Sequence, residues 1–106
     1  MKIVNCTPHD VVLVHDGIET TYPTSGIVAR CKSYENEVTG FPFPAVTSTF
    51  GDVDCLPERK PDTVYIVSLV VFNATDREDV IRPDSGPTAI RNEKGQIQAV
   101  RRFVVK

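Results

Sequence analysis

Apolar and polar residues alternate along much of this chain with a period of two, the spacing of a β-strand that buries one face. Ile3-Val4 opens a short strand, and Val11 to His15 makes a second, rich in β-branched residues. Asp16-Gly17 then reads as a hairpin turn, because both residues tolerate positive φ, and Ile18 to Tyr22 returns antiparallel. After the loop Pro23-Thr24-Ser25-Gly26, the alternation predicts a strand from Ile27 to Ser33. Ile27, Ala29 and Cys31 would share one face of it, with Val28 and Arg30 on the other. Gly40, Pro42 and Pro44 break the next stretch, alternation resumes through Val46, Ser48 and Phe50, and Gly51 marks a bend or bulge.

The most apolar stretch runs from Thr63 to Ala74. Val64-Tyr65-Ile66-Val67 reads as a buried strand. Ser68 to Ala74 fits either more strand or a short helix capped by Ser68, and the terminus-like Asn73-Ala74-Thr75-Asp76 favours the helix. Asp79 to Arg82 is short and extended, and Pro83-Asp84-Ser85-Gly86-Pro87 is a loop. Ala89 to Arg91 and Ile97 to Val105 would close the chain as a hairpin. Residues 1–106 thus predict a single, mainly β domain: a small barrel or sandwich of short antiparallel strands with one short helix.

A chain of 106 residues can build one compact core but has little mass to enclose a large cavity. A ligand would therefore sit in a surface cleft, a loop cluster or a subunit interface. The net charge of −2 speaks against a binder of long nucleic acid, while leaving room for a local basic pocket. No apolar run approaches a membrane span and none follows Lys2, so no membrane partner and a cytoplasmic location are expected. Cys6, Cys31 and Cys55 form no C-x-x-C pair, and the two histidines have no metal-ligand spacing, so reduced thiols and no metal are expected. No phosphate-loop or dinucleotide glycine pattern calls for a cofactor.

Four segments carry candidate chemistry. In Arg82-Pro83-Asp84-Ser85-Gly86-Pro87-Thr88-Ala89-Ile90-Arg91, two prolines and a glycine hold a loop whose backbone N–H groups could face an anion. Ser85 and Thr88 add hydroxyls, and Arg82 and Arg91 could fork onto phosphate oxygens. The competing reading is a tight β-connection with solvated arginines. Ser25-Gly26 followed by Arg30 is similar in kind, and there the competing reading is an ion pair for Arg30. In Asn5-Cys6-Thr7-Pro8-His9, His9 could bind phosphate or act as a general acid or base, or simply tie the turn. Phe50, beside Gly51, could stack a planar base or belong to the core.

The segments Asn5-Cys6-Thr7-Pro8-His9, Ser25-Gly26-Ile27-Val28-Ala29-Arg30, Thr49-Phe50-Gly51-Asp52-Val53, Tyr65-Ile66-Val67-Ser68 and Pro83 to Arg91 resemble, in that order, a family of small bacterial and phage proteins labelled hypothetical. The resemblance covers nearly the whole chain. It departs at Cys6, where leucine is expected, and at Cys55, where glycine is expected. Phage proteins of this size include some that sequester nucleotide immune signals, such as cyclic ADP-ribose isomers and cyclic dinucleotides, and others that cleave them. By analogy of size and setting, the resemblance implies a nucleotide-sequestering, anti-defence role in the host cytoplasm.

Three readings follow. In the first, Arg30, Arg82 and Arg91 hold the phosphates of a small nucleotide, the Ser25-Gly26 and Ser85–Thr88 loops donate N–H groups, and Phe50 stacks the base without catalysis. In the second, a phosphodiesterase or pyrophosphatase cleaves such a signal, with His9 as general acid or base, Thr7 or Ser85 orienting the phosphate and an arginine stabilising the developing charge. In the third, the chain is a structural or protein-interaction β module. A homo-oligomer is expected, because small ligand-binding domains often build pockets between subunits and symmetric dimers are the commonest assemblies.

Overall fold

The computed structural model describes residues 1–106. The alternating segments become ten strands and one helix: β1 (Lys2–Asn5), β2 (Val11–His15), β3 (Ile18–Tyr22), β4 (Arg30–Val38), β5 (Ala45–Asp54), β6 (Thr63–Ile66), α1 (Leu69–Ala74), β7 (Val80–Pro83), β8 (Ile90–Arg91), β9 (Ile97–Ala99) and β10 (Phe103–Val105). The fold is mainly β with one short helix. Its sheets do not close into a barrel, and the arrangement is sandwich-like. No helix is long and apolar enough to cross a membrane.

The central sheet has the order β1-β6-β7-β10. Here the pairing departs from an all-antiparallel reading: β1 and β6 run parallel, as do β6 and β7, and only β10 is antiparallel to β7. The chain makes the β6–β7 crossing through residues 67–79, which carry α1, and parallel neighbours need a connection of that length. Ser68 caps α1 as expected, its hydroxyl accepting from the Val71 N–H at 3.3 Å. A strand buried on both faces reads as a continuous apolar run, which is why Val64 to Val67 shows no alternation. Tyr65, Val67 and Val80 pack with Val71 and Phe72 of α1, and Cys6 and Ala29 complete that cluster. Ile66 and Ile81, the register neighbours of Tyr65 and Val80, are buried on the opposite face.

Residues 97–105, expected as one strand, are split. β9 pairs with β8, while Val100 leaves that pairing and bridges to Leu13 of the β2–β3 hairpin. The chain then turns at Arg101-Arg102 and joins the central sheet as β10. The predicted strand from Ile27 starts three residues later, at Arg30, because residues 27–29 run beside Cys6 without joining a sheet. From Arg30, β4 and β5 pair antiparallel down to Val38 and Ala45 and form a two-stranded arm. The arm makes the molecule elongated, with extents of 51 × 38 × 23 Å.

Turn chemistry follows the sequence closely in two places. Asp16 and Gly17 take φ of 51° and 74° at the β2–β3 turn, both left-handed. Gly51 sits where the β4–β5 register shifts, and a Cβ there would lie 3.2 Å from the Tyr34 ring, which covers it. Cys55 also takes a left-handed φ, 63°, which costs a side-chain-bearing residue about 1 kcal/mol or more and glycine little. Cys55→Gly is accordingly expected to raise stability by up to about 1 kcal/mol in urea unfolding, despite the greater freedom of glycine in the unfolded chain.

Asn5 is 2% exposed, at the end of β1, and its amide uses all four hydrogen-bonding positions. Nδ2 donates to the carbonyls of His9 (2.8 Å) and Tyr22 (2.9 Å), while Oδ1 accepts from the Thr7 N–H (2.9 Å) and the Thr7 hydroxyl (2.7 Å). Asn5→Ala would leave these partners without their acceptor or donor in a partly buried site. It is expected to cost about 2–4 kcal/mol, read from the midpoint of chemical denaturation.

Candidate functional site

The loop from Asp84 to Arg91 is tied by its own hydrogen bonds, and its donors point inward. Asp84 Oδ1 accepts from the Gly86 N–H at 3.1 Å, and Oδ2 accepts from Arg102 Nε at 2.6 Å and from the Thr88 hydroxyl at 3.4 Å. An internal carboxylate thus occupies the position an external anion would take. Its pKa is held below the usual carboxylate value, chiefly by the Arg102 hydrogen bond and then by the Gly86 N–H. Arg91 donates to the carbonyls of Gly95 (2.8 Å) and Ser85 (3.0 Å), so this arginine ties the loop to the β8–β9 turn. Arg82 lies over the Phe72 ring at 5.4 Å, and its buried Nε has no acceptor.

The Asn5–His9 and Ser25–Arg30 segments do come together. Ser25 donates its hydroxyl proton to the Asn5 carbonyl at 2.6 Å, and the Ala29 N–H donates to the Cys6 carbonyl at 3.0 Å. Thr7 is committed to Asn5, and the His9 side chain is exposed without a hydrogen-bond partner, so no acid–base pair forms there. Burial pushes the Cys6 thiol pKa up, which disfavours a thiolate nucleophile. Gly26 supplies a left-handed turn, φ 87°, between these hydrogen bonds.

This junction delivers Arg30 to the root of the arm. A groove of about 480 Å³ opens there between β4 and α1, within the size range of small-molecule sites. Pro8, Val28, Ala29, Val70 and Val71 give it an apolar lining, Ser33 and Ser68 add hydroxyls, and Arg30 and Lys32 add two positive charges against one carboxylate, Asp54. Neither cationic side chain makes a hydrogen bond or ion pair within the chain, whereas Arg59, Arg77, Arg91 and Arg102 all do. Arg30 therefore lacks the internal ion pair weighed from sequence. Phe50 is the cross-strand partner of Ser33 and is 45% exposed, so its ring is available beside the groove rather than spent in the core.

The structure therefore separates the three arginines singled out in the sequence. Arg30 lines the groove, and Arg91 lies in a different, wholly polar hollow of about 540 Å³ on the β8–β9 hairpin. Arg82 lines neither hollow, and none of the cavities reaches Ser85, Gly86 or Thr88. Lys32, Ser33 and Ser68 were not singled out. The alternation in Arg30-Cys31-Lys32-Ser33 carries the signal for Lys32 alone, since residues 30 and 32 point the same way along a strand. No three His, Cys, Asp or Glu side chains gather as a metal site would require. No protein-family profile, curated protein or solved structure matches the chain.

The strongest charge pair lies away from the groove. Arg77 grips Asp79 with two hydrogen bonds, 2.9 and 2.6 Å, and donates to the Pro57 carbonyl at 2.8 Å. The Arg77 hydrogen bonds hold the Asp79 pKa below its usual value. A carboxylate with a depressed folded-state pKa stabilises the fold above its unfolded-state pKa, and that stabilisation is lost as pH falls through the folded-state value. Stability should therefore fall as pH drops below about 4. Asp79→Asn should be less stable at neutral pH and show a shallower acid loss in unfolding followed by circular dichroism.

Proposed function

We propose that this chain binds a small phosphorylated ligand, a nucleotide by size and class, in the groove between the arm root and α1, and holds it without cleaving it. Arg30 carries the proposal: a guanidinium at an apolar-lined groove, with no acceptor of its own and Lys32 beside it. Such a group is set to meet phosphate oxygens. Ser33 and Ser68 can donate hydroxyl protons to the same oxygens, and Phe50 offers a ring face to a base. The exposed, unpaired His9 and the buried, protonated Cys6 provide no acid–base or nucleophilic pair, which favours binding over cleavage. A protein that holds a nucleotide signal without turnover lowers its free concentration. That is the sequestering role the resemblance implies, and with it a phage counter-defence setting.

The test is calorimetric titration with cyclic ADP-ribose isomers, cyclic dinucleotides and linear nucleotides, followed by chromatography of the ligand released on denaturation. Recovery of intact ligand is expected. Each charge-assisted hydrogen bond contributes roughly 1.5–3 kcal/mol, so Arg30→Ala should weaken binding by about one to two orders of magnitude with the melting temperature little changed. Arg91→Ala should leave affinity unaltered. Equal losses in the two variants, or no binding to any phosphorylated probe, would refute the groove as the site.

A further inference from the structure

The arm has more edge than its own two strands satisfy. β4 and β5 form a sheet of two strands, so each has one side of its backbone unpaired. Isolated two-stranded hairpins are marginal in water, and sheets become stable with three or more strands. The two edges are not alike. β4 carries Arg30, Lys32, Glu35 and Glu37, the charges with which proteins guard an open edge. Along β5, residues 45–51 read Ala-Val-Thr-Ser-Thr-Phe-Gly, with no charge, no proline and strong β-formers. Val46 and Phe50 are 53% and 45% exposed, so the chain itself does not cover them.

We infer that β5 is the contact between two copies of this chain, paired antiparallel across a two-fold axis at Ser48 into a four-stranded sheet. The occupant is a second copy because this segment complements itself. About Ser48, antiparallel pairing sets Thr47 opposite the partner's Thr49, Val46 opposite the partner's Phe50, and Ala45 opposite the partner's Gly51. Thr–Thr and aromatic–β-branched pairs are among those that stabilise antiparallel sheets, and the small end residues leave room for the backbones to meet. Each pair also joins residues on the same face, as a two-fold axis normal to the sheet demands.

The surface area agrees. The chain exposes 7478 Å², against roughly 5,900 Å² for a compact monomer of its mass. That excess, roughly 1,600 Å², is more than the ~800 Å² per partner that a standard interface buries. The radius of gyration, 16.1 Å, likewise exceeds the roughly 13 Å of a compact chain of this length. The ligand groove lies at the root of the arm, between β4, Asp54 and α1; Phe50 is the one residue that both proposals use, and the oligomeric state tests this one without any ligand.

The test is sedimentation equilibrium of the full chain beside Ser48→Lys. Within one copy the new lysine faces Glu35, the register partner of Ser48, so the fold should be kept or slightly favoured. At the two-fold axis it meets the identical lysine of the other copy, and like charges directly opposite oppose pairing. The parent is expected to be a dimer and Ser48→Lys a monomer with an unchanged circular dichroism spectrum. Hydrogen exchange on the parent gives a reading that needs no variant: amides of residues 45–51 should slow as protein concentration rises through the dimerisation range. A monomeric parent, a Ser48→Lys dimer as tight as the parent, or concentration-dependent protection confined to other segments would overturn the inference.

Discussion

The amide of Asn5 is the contact on which the rest of this structure depends. A primary amide offers two donors and two acceptor positions, and burying it is tolerable only when all are used. Here the four uses join the end of β1, the Thr7–His9 turn and the end of β3 at Tyr22. Ser25 adds a fifth tie through the Asn5 carbonyl, and Ala29 is pinned to Cys6 next along the chain. The β2–β3 hairpin is thereby fixed to the central sheet, and the residues that lead into β4 have only one path. Arg30 reaches the groove because this polar knot fixes the segment before it.

This reassigns much of what looks like binding chemistry in the sequence. Thr7, Ser25 and Gly26 sit in motifs that suit phosphate recognition, yet they build the knot. The Asp84 loop makes the same point more sharply. Its prolines and glycine do shape a turn with N–H groups facing inward, and the acceptor is the loop's own carboxylate. The signal was present in the sequence. An aspartate two residues before a glycine tends to accept from that glycine's N–H, and Asp84 stands there ahead of Gly86. An internal anion competes at high effective concentration with any external one.

What could be read from sequence was local. Asp16-Gly17, the Ser68 cap and the Gly51 irregularity each follow from the conformational preference of one or two residues, and each is found where expected. What could not be read was partnership. An apolar run such as Val64 to Val67 marks a strand buried on both faces without saying that its neighbours are parallel, since that depends on where β1 and β7 return in space. The break at Val100 is of the same kind. Ile97 to Val105 reads as one strand, but Val100 is drawn to β2 by backbone hydrogen bonds with Val12 and Val14, and the chain bends to meet β7 beyond it. The groove was invisible for a related reason: its walls come from segments whose meeting is set by the knot, and only the alternation of Arg30 and Lys32 is local.

The division of labour follows from the small size of the core. Only 13 of 106 residues are buried, and most of them lie in β6, β7, α1 and the segments packed on them, so cohesion is concentrated at one end of an elongated molecule. The arm contributes almost nothing to that core beyond Cys31 and Val53 at its root. A two-stranded ribbon projecting from a small core gains little from its own side chains, and the backbone groups on its outer edges remain with water. The root is where the arm meets the core, through Cys31 and Val53, and the exposed, unpaired Arg30 and Lys32 stand there. An apolar-lined groove with two unpaired cations lies at that end, where the arm meets the core. The uncharged edge of β5 lies farther out, and its backbone groups have no partner strand within the chain.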